Sequence, residues 1–492
     1  NKLSLYFLKK YKKKKRSVII KNTSKGAMKM LSKEKAKKIL EITLATGADF
    51  GELFFEDTKN TSMHLENGLV SKVNSGNEFG CGIRILKKDK CVYGYTNDCS
   101  MASLIQLANT LKDSFEGQKE YEVQPLRHVK SDKKHQPKIP YDQVPLKEQL
   151  NLLKKGYQAA KDYDPKIAKV DVHFSTTDQK VTIFNTDGKI VTDTRCRGRL
   201  YLTAIAKDKD QMQAQGVGPG AQKGFEFFKD EIDIEQLAKD TAKSAIVMLE
   251  AEECPAKVMP VIIDNGFGGV IFHEACGHPL EASAVSRNLS IFTGKLGTKI
   301  ASDIVTAIDD GTIDGGWGSG NFDDEGNKTS RNVLIKDGIL QNYLIDDFNG
   351  RAMNKKGNGA CRRESYKYEP TSRMSNTFID NGKSTFEEII ANTKYGLYAK
   401  QLGGGSVNPA TGDFNFAVSE GYIVKDGKIA YPVKGATLIG NGANVLLKID
   451  MVANNLKRAQ GICGASSGSI PADVGQPTIR VSSMTVGGRG GN

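Results

Sequence analysis

The chain has 492 residues, 39% of them hydrophobic and 26% charged, which is enough to build a core in each of several domains and excludes a disordered or low-complexity protein. Its net charge of +13 does not identify a nucleic-acid surface: ten uncompensated Lys or Arg lie between Asn1 and Ala27, leaving only +3 for the other 465 residues. No apolar run reaches membrane-spanning length, and eight scattered cysteines without a Cys-x-x-Cys pair exclude a disulfide scaffold, so a cytoplasmic protein acting without membrane or nucleic acid is expected.

Residues 1–29 read as a basic, disordered extension, because their only apolar stretch is short and precedes the charge. Residues 30–116 read as an N-terminal α+β domain. Ser32 caps a helix with Ala36, Ile39, Leu40 and Leu44 on one face; short strands follow at Glu52–Phe55, Ser62–Leu65, Leu69–Val73 and Cys81–Leu86, with a turn at Asn67-Gly68; Ser100 opens a second helix. Residues 117–145, polar and with several prolines, read as a linker or long loop. Residues 146–252 repeat the order helix, strands, helix and form a central α+β domain.

From residue 253 to 492 the chain turns glycine-rich and β-rich. Lys257–Asp264 is expected to be a buried strand feeding Gly266-Phe-Gly-Gly and then Val270-Ile-Phe-His-Glu-Ala-Cys-Gly-His-Pro279. His273 and His278 are imidazole donors, and Glu274 is the kind of residue that takes a proton from metal-activated water. The spacing is His-Glu-x-x-x-His. At about 100° per residue, positions five apart on an α-helix diverge by about 140°, so a regular helix cannot aim both rings at one ion. Either the helix widens locally as a π-turn or it breaks at Gly277.

Further on, Asp323-Asp-Glu-Gly326 reads as a solvated acidic turn. Gly403, Gly404 and Gly405 lack side chains and let an extended peptide backbone approach, which makes them candidate substrate-binding residues. Cys463 stands among glycines ahead of a strand, and those glycines are expected to leave it accessible, within reach of an ion as thiolate.

Taken together, His273-Glu-Ala-Cys-Gly-His278, Leu280-Glu281, Asp310-Gly-Thr, Asp324-Glu-Gly, Arg362-Arg-Glu-Ser-Tyr, Arg373-Met-Ser-Asn-Thr, Gly403-Gly-Gly, Thr411-Gly-Asp-Phe, Glu420-Gly-Tyr, Val474-Gly-Gln-Pro and Met484-Thr-Val-Gly-Gly resemble the TldD/PmbA family of metalloproteases, once labelled modulators of DNA gyrase. The likeness runs from about Met30 to the end, and the intact His-Glu-x-x-x-His places the chain on the TldD side. The resemblance implies one Zn2+ per active chain held by His273, His278 and Cys463, with Glu274 as general base, and hydrolysis of extended, unfolded peptides by metal-activated water. It also implies a homodimer or a heterodimer with a PmbA-like paralogue. Glu281 is expected to orient a histidine, and Arg362, Arg363 and Arg373 to serve structure or a substrate tunnel. The competing reading is a regulator, related to gyrase, that captures a peptide or antitoxin without catalysis while the metal staples its fold.

Overall fold

The structure is a computed structural model and describes residues 31–132, 134–408 and 411–490; the basic extension expected over residues 1–29 lies outside them. The fold is α+β. Ser32 Oγ accepts from the Lys35 N–H and caps the helix Lys33–Thr43, which buries Ala36, Ile39 and Leu40. Ser100 does the same for Met101–Lys112, accepting from the Ser103 N–H.

The four short strands expected near the N-terminus are two long ones, Phe50–Glu66 and Leu69–Lys87, joined by a turn at Asn67 (φ 47°) and Gly68 (φ 81°), the two left-handed residues a tight hairpin turn requires. Polar residues such as Thr58 and Asn60, opposite Glu78 and Gly76, continue the ladder between the apolar runs. Alternation of apolar and polar residues reveals only the part of a strand whose buried face is apolar, and here the buried residue is Thr58, with Lys59 and Asn60 exposed. Phe50–Glu66 also pairs antiparallel with Ile167–Asn185, more than a hundred residues later. The two helix-strand-helix segments therefore share one sheet. Among the described residues it has eight strands, running in space Lys90–Thr96, Leu69–Lys87, Phe50–Glu66, Ile167–Asn185, Lys189–Asp208 and Arg127–His128, with Gln211–Val217 and Gly220–Ala221 also on Lys189–Asp208.

In the C-terminal half, Lys257–Ile263, Ile479–Gly487, Thr437–Asn441, Asp413–Lys425 and Tyr395–Val407 pair in that order, and the last pairs with the first, so the strands close into a small barrel. Beside it a second sheet ends in the hairpin Lys457–Ala465 and Gly468–Gln476. One continuous apolar core underlies both, including Val261, Ile263, Phe272, Leu397 and Val474.

The two halves meet through buried charge. Asp323, Asp324 and Glu325 are 3%, 2% and 1% exposed, so the acidic turn is not solvated as expected. Arg195 donates to Asp324 at 2.7 Å, and Arg84 lies 3.0 Å from Glu52 and 2.8 Å from Glu325. Glu52 also accepts from Arg363 at 2.5 Å. The guanidiniums at positions 84 and 195 come from the eight-stranded sheet, and nothing local to residues 323–326 announces them. The only tryptophan of the chain, Trp317, donates its backbone N–H to Asp473 Oδ2 at 3.2 Å and its indole N–H to the Gly461 carbonyl at 2.8 Å. Burial pushes the Asp473 carboxyl up to about 6, against the opposing pull of Arg458.

Two predictions follow from these contacts. Glu52→Ala leaves Arg84 and Arg363 without a shared partner and is expected to cost about 3–5 kcal/mol in urea unfolding, whereas Lys37→Ala, breaking an exposed pair at 3.8 Å, costs less than about 1 kcal/mol; equal losses would show that the buried cluster does not hold the halves together. Trp317 fluorescence is expected to titrate with a midpoint of about 6, and Asp473→Asn to abolish the transition. Because the folded-state value is raised, the stability contributed by protonated Asp473 is complete below an ordinary carboxyl pKa of about 3.9 and is lost as pH rises through about 6.

Candidate metal centre

The strand Lys257–Ile263 delivers the chain into a 3₁₀ turn over Gly266–Gly269, followed by one α-turn at Val270–Phe272 and a π-turn over His273–Gly277. The His278 N–H donates to the His273 carbonyl, five residues back. Of the two alternatives, the helix thus takes the widened turn, which returns positions five apart toward one side. A 3₁₀ turn with Pro279 in it then ends the helix. Two glycines are required here by close approach. A Cβ at Gly277 would stand 2.1 Å from Met374 Sδ, and one at Gly269 would stand 2.4 Å from the Gly475 backbone.

That second contact lays the helix against the hairpin carrying Cys463. His273 Nε2 lies 3.3 Å from Cys463 Sγ and His278 Nε2 lies 3.4 Å from it, and the three donor atoms all fall within 4.8 Å of one another. A tetrahedral zinc ion with bonds of about 2.0–2.1 Å to nitrogen and about 2.3 Å to sulfur separates N from S by about 3.5 Å, so the donor set fits such an ion. His273 is 3% exposed and its Nδ1 has no hydrogen-bond partner. His278 Nδ1 is 3.2 Å from Glu281 Oε1. With an ion bound, a proton on Nδ1 shared with that carboxylate would leave the Nε2 lone pair for the metal, the tautomer a metal ligand needs.

Burial opposes ionisation of the Cys463 thiol, but hydrogen bonds from His273 and His278 outweigh it and bring the pKa down to about 4. For His278, burial opposes the charged form, and Glu281 and Cys463 more than offset it, holding the pKa above the ordinary histidine range. The site therefore favours thiolate, the form of cysteine that binds metals. Glu274 has its carboxylate 3.8 Å from His278 Nε2 and is 29% exposed, against 16% for His278, so it faces the open side.

Cys463 is not the accessible residue expected. It is 5% exposed and sits within the strand Lys457–Ala465, opposite Ile470. Its neighbour Ile462 points to the other face of the hairpin, into a cavity of about 510 Å³ lined also by Arg199, Tyr201 and Trp317. Gly403, Gly404 and Gly405 lie in Tyr395–Val407, a strand that touches the π-turn. This strand pairs with Lys257–Ile263 only over Leu397–Ala399; beyond that, its ladder partner among the described residues is Asp413–Lys425. Open space surrounds the Cβ position of Gly404, whereas a Cβ at Gly405 would strike the Phe416 ring.

Among the arginines, Arg363 belongs to the buried charge layer, Arg362 donates to the Met374 and Pro471 carbonyls, and Arg373 reaches the Cys463 carbonyl. Met374, beneath Gly277, is a neighbour of the site that its spacing in the sequence does not signal. A second cluster of metal-ligating types, Glu325, Asp346 and Cys361, is wholly buried, but the Arg84 guanidinium already supplies its positive charge.

Three family descriptions match the chain in order: PmbA/TldA metallopeptidase domain 1 over residues 51–114, the central domain over 139–249 and the C-terminal domain over 256–488. A metalloprotease TldD homolog of Haemophilus influenzae is 35% identical over 466 residues, covering 93% of this chain and 97% of that one. A metalloprotease of Methanocaldococcus jannaschii is 31% identical over 456 residues, covering 92% and 99%. Among solved structures, a Thermotoga maritima protein described as a modulator of a DNA gyrase superposes with a TM-score of 0.75 at 23% identity, covering 92% of this chain and 99% of that one. TldE from Thermococcus kodakarensis gives 0.74 at 18%, with coverage of 92% and 99%; these two likenesses show the fold. With the family matched over most of its length, and relatives matched nearly end to end, the chain belongs to the PmbA/TldD family of metallopeptidases and is a metal-dependent peptide hydrolase.

Proposed function

We propose that this peptidase is zinc-dependent, with His273, His278 and Cys463 as the metal ligands and Glu274 as the general base, and that it cuts extended, unfolded peptides. The observation that carries the reading is the convergence of two imidazole nitrogens on one buried sulfur, at 3.3 and 3.4 Å. Three protein donors of this kind leave one position of a tetrahedral ion open, as catalytic sites do and structural sites do not. When bound, zinc supplies Lewis acidity, polarising a peptide carbonyl and acidifying water at the open position.

The chain's own residues do the remainder. Glu274, on the open side beside His278, takes the proton of the attacking water and passes it to the leaving amine nitrogen. Glu281 holds His278 in orientation through Nδ1. The strand edge at Gly403–Gly405 takes the substrate backbone by β-pairing, and the absence of a Cβ at Gly404 removes the obstacle to that approach. An unfolded segment offers free backbone N–H and C=O groups to such an edge along its whole length, whereas in a folded domain most of them are already paired, which favours unfolded substrates. We also propose that the enzyme acts in the cytoplasm, where its eight free cysteines stay reduced, and as a dimer with itself or with a PmbA-like chain.

Glu274→Gln, compared with wild type at equal zinc content on an unfolded polypeptide, is expected to lower kcat about 100- to 10,000-fold; equal rates would remove Glu274 as the base. Cys463→Ala is expected to weaken zinc binding by more than the roughly 10–100-fold that follows loss of a residue that merely orients a ligand. Competition with a chromogenic chelator measures it, and unchanged affinity would take Cys463 out of the ligand set.

A further inference from the structure

The ligands come from two separate pieces of chain, a helix and a hairpin, and a third piece sets the distance between them. That piece is Ser372–Ser375. Ser372 Oγ accepts from the Ser283 N–H, just past the histidine motif. Met374 Sδ fills the space left by the missing side chain of Gly277, inside the motif. Between them, Arg373 points to the hairpin: Nη2 donates to the Cys463 carbonyl at 2.6 Å, and Nη1 donates to Ser467 Oγ at 2.8 Å and the Gly468 carbonyl at 3.0 Å. Alternate residues of one strand-like segment therefore touch the helix, and the one between touches the hairpin, as the two-residue period of extended chain dictates.

Arg373 is fully buried, forms no ion pair among the described residues, and keeps an unpartnered Nε. A buried guanidinium without a carboxylate is an expensive way to fill space, since a hydrophobic residue of similar volume packs without desolvating a charge. Its distinguishing property is the planar fork, which spans acceptors on both strands of the hairpin and in its turn. Cys463, Ser467 and Gly468 are thereby held as one rigid end. The sulfur that must meet His273 Nε2 and His278 Nε2 is attached to the first of these residues.

We propose that Arg373 is the positioning residue that brings Cys463 into the ligand set, by fixing the end of its hairpin relative to the helix of His273 and His278. The proposal rests on the metal-centre reading above and adds a residue that touches neither metal nor substrate. The loss of Arg373 leaves both imidazoles in place and lets the hairpin end relax, so the sulfur drifts from the position the ion requires.

The test is cobalt substitution of wild type and Arg373→Met, with folding checked by circular dichroism. The visible d–d bands report binding of the ion, and the near-ultraviolet thiolate-to-cobalt charge-transfer band reports the sulfur itself. Wild type is expected to show both. Arg373→Met is expected to keep the d–d bands, to lose most of the charge-transfer intensity and to bind the ion about 10–100-fold more weakly. A full-strength charge-transfer band with affinity within about twofold of wild type would overturn the positioning role, since a residue that only packs would leave the sulfur bound. Should wild type itself lack the charge-transfer band, the ligand assignment of Cys463 fails, and that result is distinct from failure of the Arg373 role. If Arg373→Met does not fold, Ser467→Ala carries the test by freeing one acceptor of the fork: a measurable fall in the same band supports the proposal, and an unchanged band and affinity overturn it.

Discussion

The contact on which the rest of this structure depends is between two backbones, Gly269 at the start of the motif helix and Gly475 in the strand Gly468–Gln476. No side chain fits between them, so the helix rests directly on the hairpin and His273 arrives at Cys463 from 190 residues away. Any residue larger than glycine at position 269 would lift the helix by the thickness of a methyl group or more. Bond lengths to a metal tolerate only about 0.2 Å, so this contact is a condition of the ligand geometry as much as of packing.

Within the helix, the second constraint is the π-turn. An α-turn would point His273 and His278 apart, and a π-turn is rare because its backbone packing is poorer, so it persists where the surroundings favour it. Here the surroundings are identifiable: Met374 occupies the place of a side chain at Gly277, Gly442 admits the Ala275 carbonyl, and Pro279 follows the wide turn. The irregularity and the histidine motif thus occupy the same six residues, His273 to His278, and the apolar core beneath them, with Phe272 and Leu280 buried, holds the irregular turn in place.

The remote half of the molecule contributes by a different kind of force. Its long antiparallel sheet presents Arg84 and Arg195 to Asp324 and Glu325, and Glu52 to Arg363. Pairs buried this deeply add little net stability over apolar packing, but a wrong docking would strand a charge, so they specify one relative placement of the halves. Arg363 adjoins Arg362, which holds the Met374 carbonyl. The charge layer and the metal centre are therefore neighbours along one short stretch of chain.

Much was legible in the sequence where the signal is local. Ser32 and Ser100 as caps, the Asn67-Gly68 turn, the helices that became Leu146–Lys161 and Ile234–Glu250, and the buried strand before the motif all rest on contacts between residues a few positions apart. The five-residue histidine spacing alone forced a choice between a widened and a broken helix, and the ordered motifs placed the family. Tertiary structure decided what depends on distant partners. Polar runs became strand interiors because Ile167–Asn185 pairs alongside, and Asp323–Glu325 became buried because arginines from another sheet neutralise them. Cys463 was buried because the helix covers it, and Arg373 became the link to its hairpin through acceptors up to 95 residues away. The sequence by itself determined which residues carry donor chemistry and where the backbone must bend. Only the packing of distant segments decided which of those donors meet, because their distances are set by contacts that no local pattern records.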